Sequence, residues 1–160
     1  MTAKTEYRTA GNKTTSKRGL HHLVEAERVV PRRDAKILLV DDSETNLYVG
    51  NYVLKKLGFN HIYEARDGHN ALELAKLHQP NATIIDTNMP RMPGYDLCKK
   101  LRSIYGSRMI IIGNSEDHYN ATHWEGVGAD SFLNKGIIFR INKSGADCPF
   151  VQKIDTYFPK

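Results

Sequence analysis

Four strand-like runs in this chain stop at residues that can do chemistry. The run 37–40 leads into Asp41 and Asp42, and the run 82–85 into Asp86. The run 109–112 is followed, after Gly113, by Asn114 and Ser115, and the short run 131–133 leads to Lys135. Three carboxylates brought together repel one another unless a cation joins them. Hard oxygen ligands select Mg2+, which keeps some of its waters and leaves room for phosphate oxygens. A carboxylate can itself be the nucleophile and become an aspartyl phosphate. The phosphoryl group in flight needs its equatorial oxygens neutralised, which a divalent cation and a lysine supply. A hydroxyl beside the product can sense it by hydrogen bond. Taken singly, Asp41-Asp42 reads equally as a turn or a helix cap, Asp86 as a strand-end turn and Lys135 as a surface charge. Their joint placement at successive strand ends points to phosphoryl transfer onto an aspartate, with Mg2+ as cofactor.

The elements that must position these groups follow from the hydrophobic pattern. Fully apolar runs of four, bounded by turn residues, are the signature of buried parallel strands. Ser43 predicts a helix cap, with a helix to about Leu57 whose core face is Leu47, Val53, Leu54 and Leu57. The run 61–65 reads as a second strand, Asp67-Gly68 as a turn, and 70–78 as a helix broken by Pro80 and Asn81. Helices are expected over 95–104 and 118–127, and a late one from Pro149 to Phe158, capped by Asp147, with Phe150, Val151, Ile154, Tyr157 and Phe158 as its apolar face. Alternating strands and helices predict an α/β fold: a doubly wound, five-stranded parallel sheet with helices on both faces. In such sheets ligands bind beyond the C-terminal strand ends.

Composition sets the limits. The chain has 160 residues, 40% of them hydrophobic, enough for one domain and a tail. No apolar run approaches the roughly 20 residues of a membrane span, and no secretory signal follows the basic start. Cys98 and Cys148 make neither a metal spacing nor a disulfide framework, so a reduced, cytoplasmic protein is the natural reading. Cys98 is expected to serve packing, and His21-His22 to be a solvated pair. Trp124, with His123 beside it, is read as a surface or interface aromatic. Residues 1–34 form a basic extension, expected to be flexible and mostly disordered, with a short helix over 20–30. Its bases are diluted with acids and no dense Lys/Arg run occurs, so a solvated tail is expected rather than a nucleic-acid contact.

At this point a resemblance becomes specific. "KILLVDDSETN" (36–46), "EARDGHNALELA" (64–75), "IIDTNMPRMPGYDLCKKLR" (84–102) and "GADSFLNK" (128–135) resemble two-component response-regulator receiver domains, in the right order and at matching spacing. The resemblance implies a flavodoxin-like receiver over 35–160, with Asp86 as phosphoacceptor. It also implies a Mg2+ site of Asp42, Asp86 and the Asn88 backbone carbonyl, with Asp41 acting through water. Lys135 would bridge acidic oxygens and phosphate, and Phe132 would be the aromatic switch. For the switch hydroxyl the sequence offers Asn114 or Ser115; only Ser115 carries a hydroxyl, with Asp117 two residues beyond. The implied partners are a histidine kinase or histidine phosphotransfer protein, a downstream protein target and a second copy in a homodimer; no membrane is involved.

The chain departs from the family where Gly136 stands in place of the usual proline, and the segment 136–160 is atypical, which puts a standard dimer in doubt. No output domain is legible after the receiver. A stand-alone receiver is expected, not an enzyme except toward its own phosphorylation and dephosphorylation. "DDSETN", with Asn46, also resembles receivers attached to hybrid histidine kinases. The alternative reading is a pseudo-receiver that binds proteins without phosphorylation. A hydrolase using the same acids would need a second carboxylate after the nucleophile, and Thr87-Asn88 does not supply one.

Overall fold

The computed structural model describes residues 30–116, 121–135 and 149–158. Five strands, β1 (Lys36–Val40), β2 (His61–Ala65), β3 (Ala82–Asp86), β4 (Ile110–Ser115) and β5 (Ser131–Asn134), form one sheet. Its order is β2-β1-β3-β4-β5, and every pairing is parallel. The helices are α1 (Glu44–Lys56), α2 (Gly68–His78), α3 (Gly94–Tyr105), α4 (Ala121–Gly126) and α5 (Pro149–Tyr157).

Period-two alternation divides each strand between two cores. Ile37, Leu39, Ile84 and Ile112 meet Leu47 and Leu54 of α1 and Val151 and Ile154 of α5. Leu38, Val40, Ile85 and Ile111 meet Ala71 and Ala75 of α2, Leu97 and Leu101 of α3 and Trp124 of α4. Strands buried on both sides can be apolar throughout, as the sequence shows.

Several expectations shift in detail. The Ser43 hydroxyl caps α1 as expected, accepting from the Asn46 amide. Asp67-Gly68 is no separate turn: the Asp67 carboxylate accepts from the His69 and Asn70 amides at 2.9 and 3.0 Å, so α2 begins at Gly68. β4 runs on through Asn114 and Ser115 because its neighbours continue alongside it, with Asp86 facing Asn114 and Asn134 facing Ser115. Trp124 is not a surface aromatic but fully buried. Cys98 is buried, and burial pushes its thiol up to about 11. Residues 20–29 of the short helix expected over 20–30, Asp117, the start of the helix expected from His118, and Gly136 through Cys148 lie outside the described residues.

Residues 30–34, which composition groups with the extension, lie against the domain. Val30 packs on the first core. Buried Arg32 donates through Nε to the Phe158 carbonyl (2.9 Å) and through Nη1 to the Leu57 carbonyl (3.2 Å), and pairs with Asp155. It ties the chain before β1 to the ends of α1 and α5, while the Phe158 ring meets Phe59 edge-on. Arg32→Ala leaves two carbonyls without their charged donor, and is expected to lower unfolding free energy by about 2–3 kcal/mol in urea titrations.

Candidate functional site

The parallel register delivers the polar groups to one edge. Val40 faces Ile85, so Asp41 and Asp86 follow at the same level, and Asp86 faces Asn114. One oxygen from each of Asp41, Asp42 and Asp86 lies within 4.8 Å of the others. Asp41 and Asp86 are buried, while Asp42 is exposed. Lys135, just past β5, reaches between the buried pair: its Nζ lies 2.8 Å from Asp86 Oδ1 and 3.0 Å from Asp41 Oδ2.

Asp41 is held from several sides. The Ser43 amide donates to its Oδ1 at 3.0 Å, and Asn46 Nδ2 donates to both oxygens at 3.1 and 3.2 Å. Asp42, Asp86, Asn88, Ser115, Glu116 and Lys135 line a cleft of about 380 Å³. A larger groove of about 730 Å³, between α1 and β2, is lined by Tyr48, Tyr52, Glu64 and Arg66 among others. The three clustered acids, Asp41, Asp42 and Asp86, lie at the smaller cleft, which makes it the candidate chemical site. The loop after Asp86 closes tightly: the Gly94 amide donates to the Thr87 carbonyl at 3.0 Å, and a Cβ on Gly94 would lie 2.0 Å from the Asp86 carbonyl oxygen. Only glycine permits that approach.

The sequence-derived set is therefore largely brought together. Asp41, Asp42, Asp86 and Lys135 converge, and Asn88 and Ser115 line the cleft. Asn114, the other candidate at the hydroxyl position, is not one of the lining residues; its Oδ1 is buried without a hydrogen-bond partner. Phe132 lies on β5 beside Gly113 and is half-buried against the second core. Sequence reasoning missed the grip of Asn46 on Asp41 and the contribution of Glu116 to the cleft wall. The i+5 spacing from Asp41 to an amide side chain across a helix cap was the available signal for Asn46.

One ammonium, shared by Asp41 and Asp86, against three carboxylates leaves the cluster with two negative charges in excess when all three are ionised. At an effective dielectric of about 20, two unit charges some 5 Å apart repel by roughly 3 kcal/mol. A divalent cation with hard oxygen preference matches both the charge and the donors, so the residues fit such an ion.

The chain belongs to the class of α/β domains with flavodoxin-like strand order, whose ligands sit at the C-terminal strand edge. Residues 37–140 match the family model described as the response regulator receiver domain, and the chain belongs to that family. It is similar to the chemotaxis protein CheY-3 of Vibrio cholerae, 41% identical over 71 residues, covering 44% of this chain and 55% of that protein. Similarity to the alkaline phosphatase synthesis transcriptional regulatory protein PhoP of Bacillus subtilis is 30% over 102 residues, covering 62% of this chain and 42% of that one. The chain thus spans about half the length of these curated relatives. Among solved structures, the chemotaxis response regulator CheY4 of Vibrio cholerae superposes with a TM-score of 0.58 at 27% identity, covering 66% of this chain and 93% of that one.

Burial pushes the Asp86 carboxyl up from its ordinary value; the Lys135 hydrogen bond and charge pull it back without cancelling, and the Asp41 charge adds to the rise. Burial pulls the Lys135 ammonium down, but its bonds to Asp86 and Asp41 and their charges outweigh this and leave it raised. Lys135 therefore stays cationic, and Asp86 is the group under stress. A carboxyl with a raised folded pKa holds its proton more tightly folded than unfolded, so this contribution favours the fold in acid and weakens it as pH rises through the folded value. Asn at position 86 removes it at every pH. Without divalent cation, Asp86→Asn is expected to melt higher than the parent at neutral pH, by roughly 2–4 °C for about 1 kcal/mol, with the gap closing in acid. Thermal melts across pH check this; a lower melt at neutral pH would mean that Lys135 overcompensates.

Proposed function

We propose that this receiver accepts a phosphoryl group on Asp86 from a histidine kinase or histidine phosphotransfer protein. The observation that carries this reading is Lys135 Nζ between the carboxylates of Asp41 and Asp86 at the mouth of a polar cleft. An Asp86 carboxylate oxygen attacks phosphorus, the P–N bond of the donor phosphohistidine breaks, and its electron pair stays on the imidazole nitrogen. Lys135 offers positive charge to the transferring group. Asp42, Asp86 and the Asn88 carbonyl would hold Mg2+, with Asp41 acting through water. When bound, the ion would neutralise the phosphoryl oxygens and the acidic cluster. Ser115, on the cleft wall, is the hydroxyl suited to meet the new phosphate, and Phe132 the aromatic suited to respond. Chemistry of this kind turns over only the domain's own aspartyl phosphate, and the consequence is a changed surface for a downstream protein. The same reading places it in the cytoplasm, beside the kinase or phosphotransfer protein that would supply the phosphoryl group; no helix among the described residues is long and apolar enough to cross a membrane.

The test is intact mass after incubation with Mg2+ and acetyl phosphate. One phosphoryl adduct is expected in the parent, none in Asp86→Asn, and none in the parent once the divalent cation is chelated. Lys135→Ala is expected to slow adduct formation by about 10²-fold or more. No adduct in the parent would move the assignment to a module that binds its partner independently of phosphorylation.

A further inference from the structure

Trp124 is the chain's single tryptophan, and its indole lies within the fold rather than on it. Its Nε1–H donates to Thr87 Oγ1 at 3.2 Å, and that hydroxyl donates to the Asn114 carbonyl at 3.2 Å. An indole N–H can only donate, and a hydroxyl has one proton to give. The direction of the relay is therefore fixed: Trp124 to Thr87 to Asn114. Thr87 follows the acceptor Asp86, and Asn114 precedes the cleft hydroxyl Ser115.

The ring is fixed as tightly as the N–H. A Cβ on Gly113 would lie 2.1–2.5 Å from indole carbons, so the indole occupies the space a side chain would take two residues before Ser115. The ring also meets Tyr95 of α3, with centroids 4.8 Å apart, and Tyr95 meets His123 of α4 at 4.0 Å. α3 starts at Gly94, whose amide is bound to Thr87. A shift of the end of β3 or β4 cannot leave the indole, α3 and α4 where they were, because close-packed groups do not deform continuously.

We propose that Trp124 is a positioning residue: it holds the ends of β3 and β4 in register at the site, and carries a change at Asp86 outward to the aromatic junction of α3 and α4. This rests on the reading of Asp86 as phosphoacceptor. A phosphate on Asp86 would offer Ser115, on the same cleft wall, new acceptor oxygens, and a pull on the end of β4 would move the indole that lies on its Gly113 backbone.

Tryptophan emission of the full chain, followed beside intact mass, tests both steps separately. With Mg2+ and acetyl phosphate, the parent is expected to show a shift or intensity change that rises and decays with the adduct, while Asp86→Asn shows none. In Thr87→Val the relay is cut but the probe remains; the adduct should still form while the emission response falls several-fold, and Thr87→Ser should restore it. An adduct in the parent with unchanged emission overturns the inference and leaves the phosphoacceptor reading intact. So does a Thr87→Val response equal to the parent's. No adduct in the parent overturns the phosphoacceptor reading, and the inference with it. Should Thr87→Val fail to fold, the comparison of parent with Asp86→Asn decides alone.

Discussion

An ammonium wedged between two buried carboxylates is the constraint on which the site depends. A charge out of water is tolerated when oppositely charged groups and hydrogen bonds replace its hydration. Lys135 meets that condition only if Asp41 and Asp86 arrive at the same height from different strands. Three pairings bring them there: Val40 with Ile85, Asp86 with Asn114, and Ser115 with Asn134. A slip of one residue in any of them would exchange the side chains a strand sends to the two cores, and a slip of two would strand a charge. The two apolar cores and the polar edge thus select the same register for different reasons.

Within the cluster, the carboxylates are not equivalent. Asp41 accepts from the Ser43 amide, from Asn46 and from Lys135, so both its oxygens are engaged by donors. Asp42 is exposed and lines the cleft with Asp86. Direct ligation of a small cation therefore falls more naturally to Asp42 and Asp86, with Asp41 orienting solvent and Lys135. Asn46 matters here because an amide donates to both oxygens without adding charge, which a lysine or arginine at that place would do.

The strands and the convergence of Asp41, Asp42, Asp86 and Lys135 were legible in the sequence, because short, largely apolar runs alternating with helical periodicity and ending in polar residues have few other structural meanings. Helix starts were less legible. Asp67-Gly68 is equally good turn and cap chemistry, and the choice depends on whether the following amides turn toward the carboxylate. The end of β4 was legible only to within a residue or two, because Gly113, Asn114 and Ser115 carry no apolar signal; the neighbouring strands keep them in the ladder. Trp124 was misread because the code for its burial lies elsewhere: the missing side chain at Gly113 and the hydroxyl at Thr87 are far from it in sequence. Arg32 likewise looked like linker charge, and only the carbonyls left at the ends of α1 and α5 give it a role.

These two misreadings share a cause, and it bears on how the domain works. Periodicity reports which side of an element faces a core; it does not report which backbone carbonyls and hydroxyls remain to be satisfied once elements meet. Arg32 answers that need at one core, beneath α1 and α5, and Trp124 answers it at the other, beneath α3 and α4. Each is a long side chain whose polar end reaches groups belonging to other elements. Such contacts add little to the apolar area but fix relative position, since a donor that moves by an ångström loses its bond while a methyl group merely changes neighbours. The core near Asp86 is thus joined to its surrounding helices by directional bonds as well as by packing, and the atoms that would carry a rearrangement at Asp86 to α3 and α4 are the same few that hold the site together.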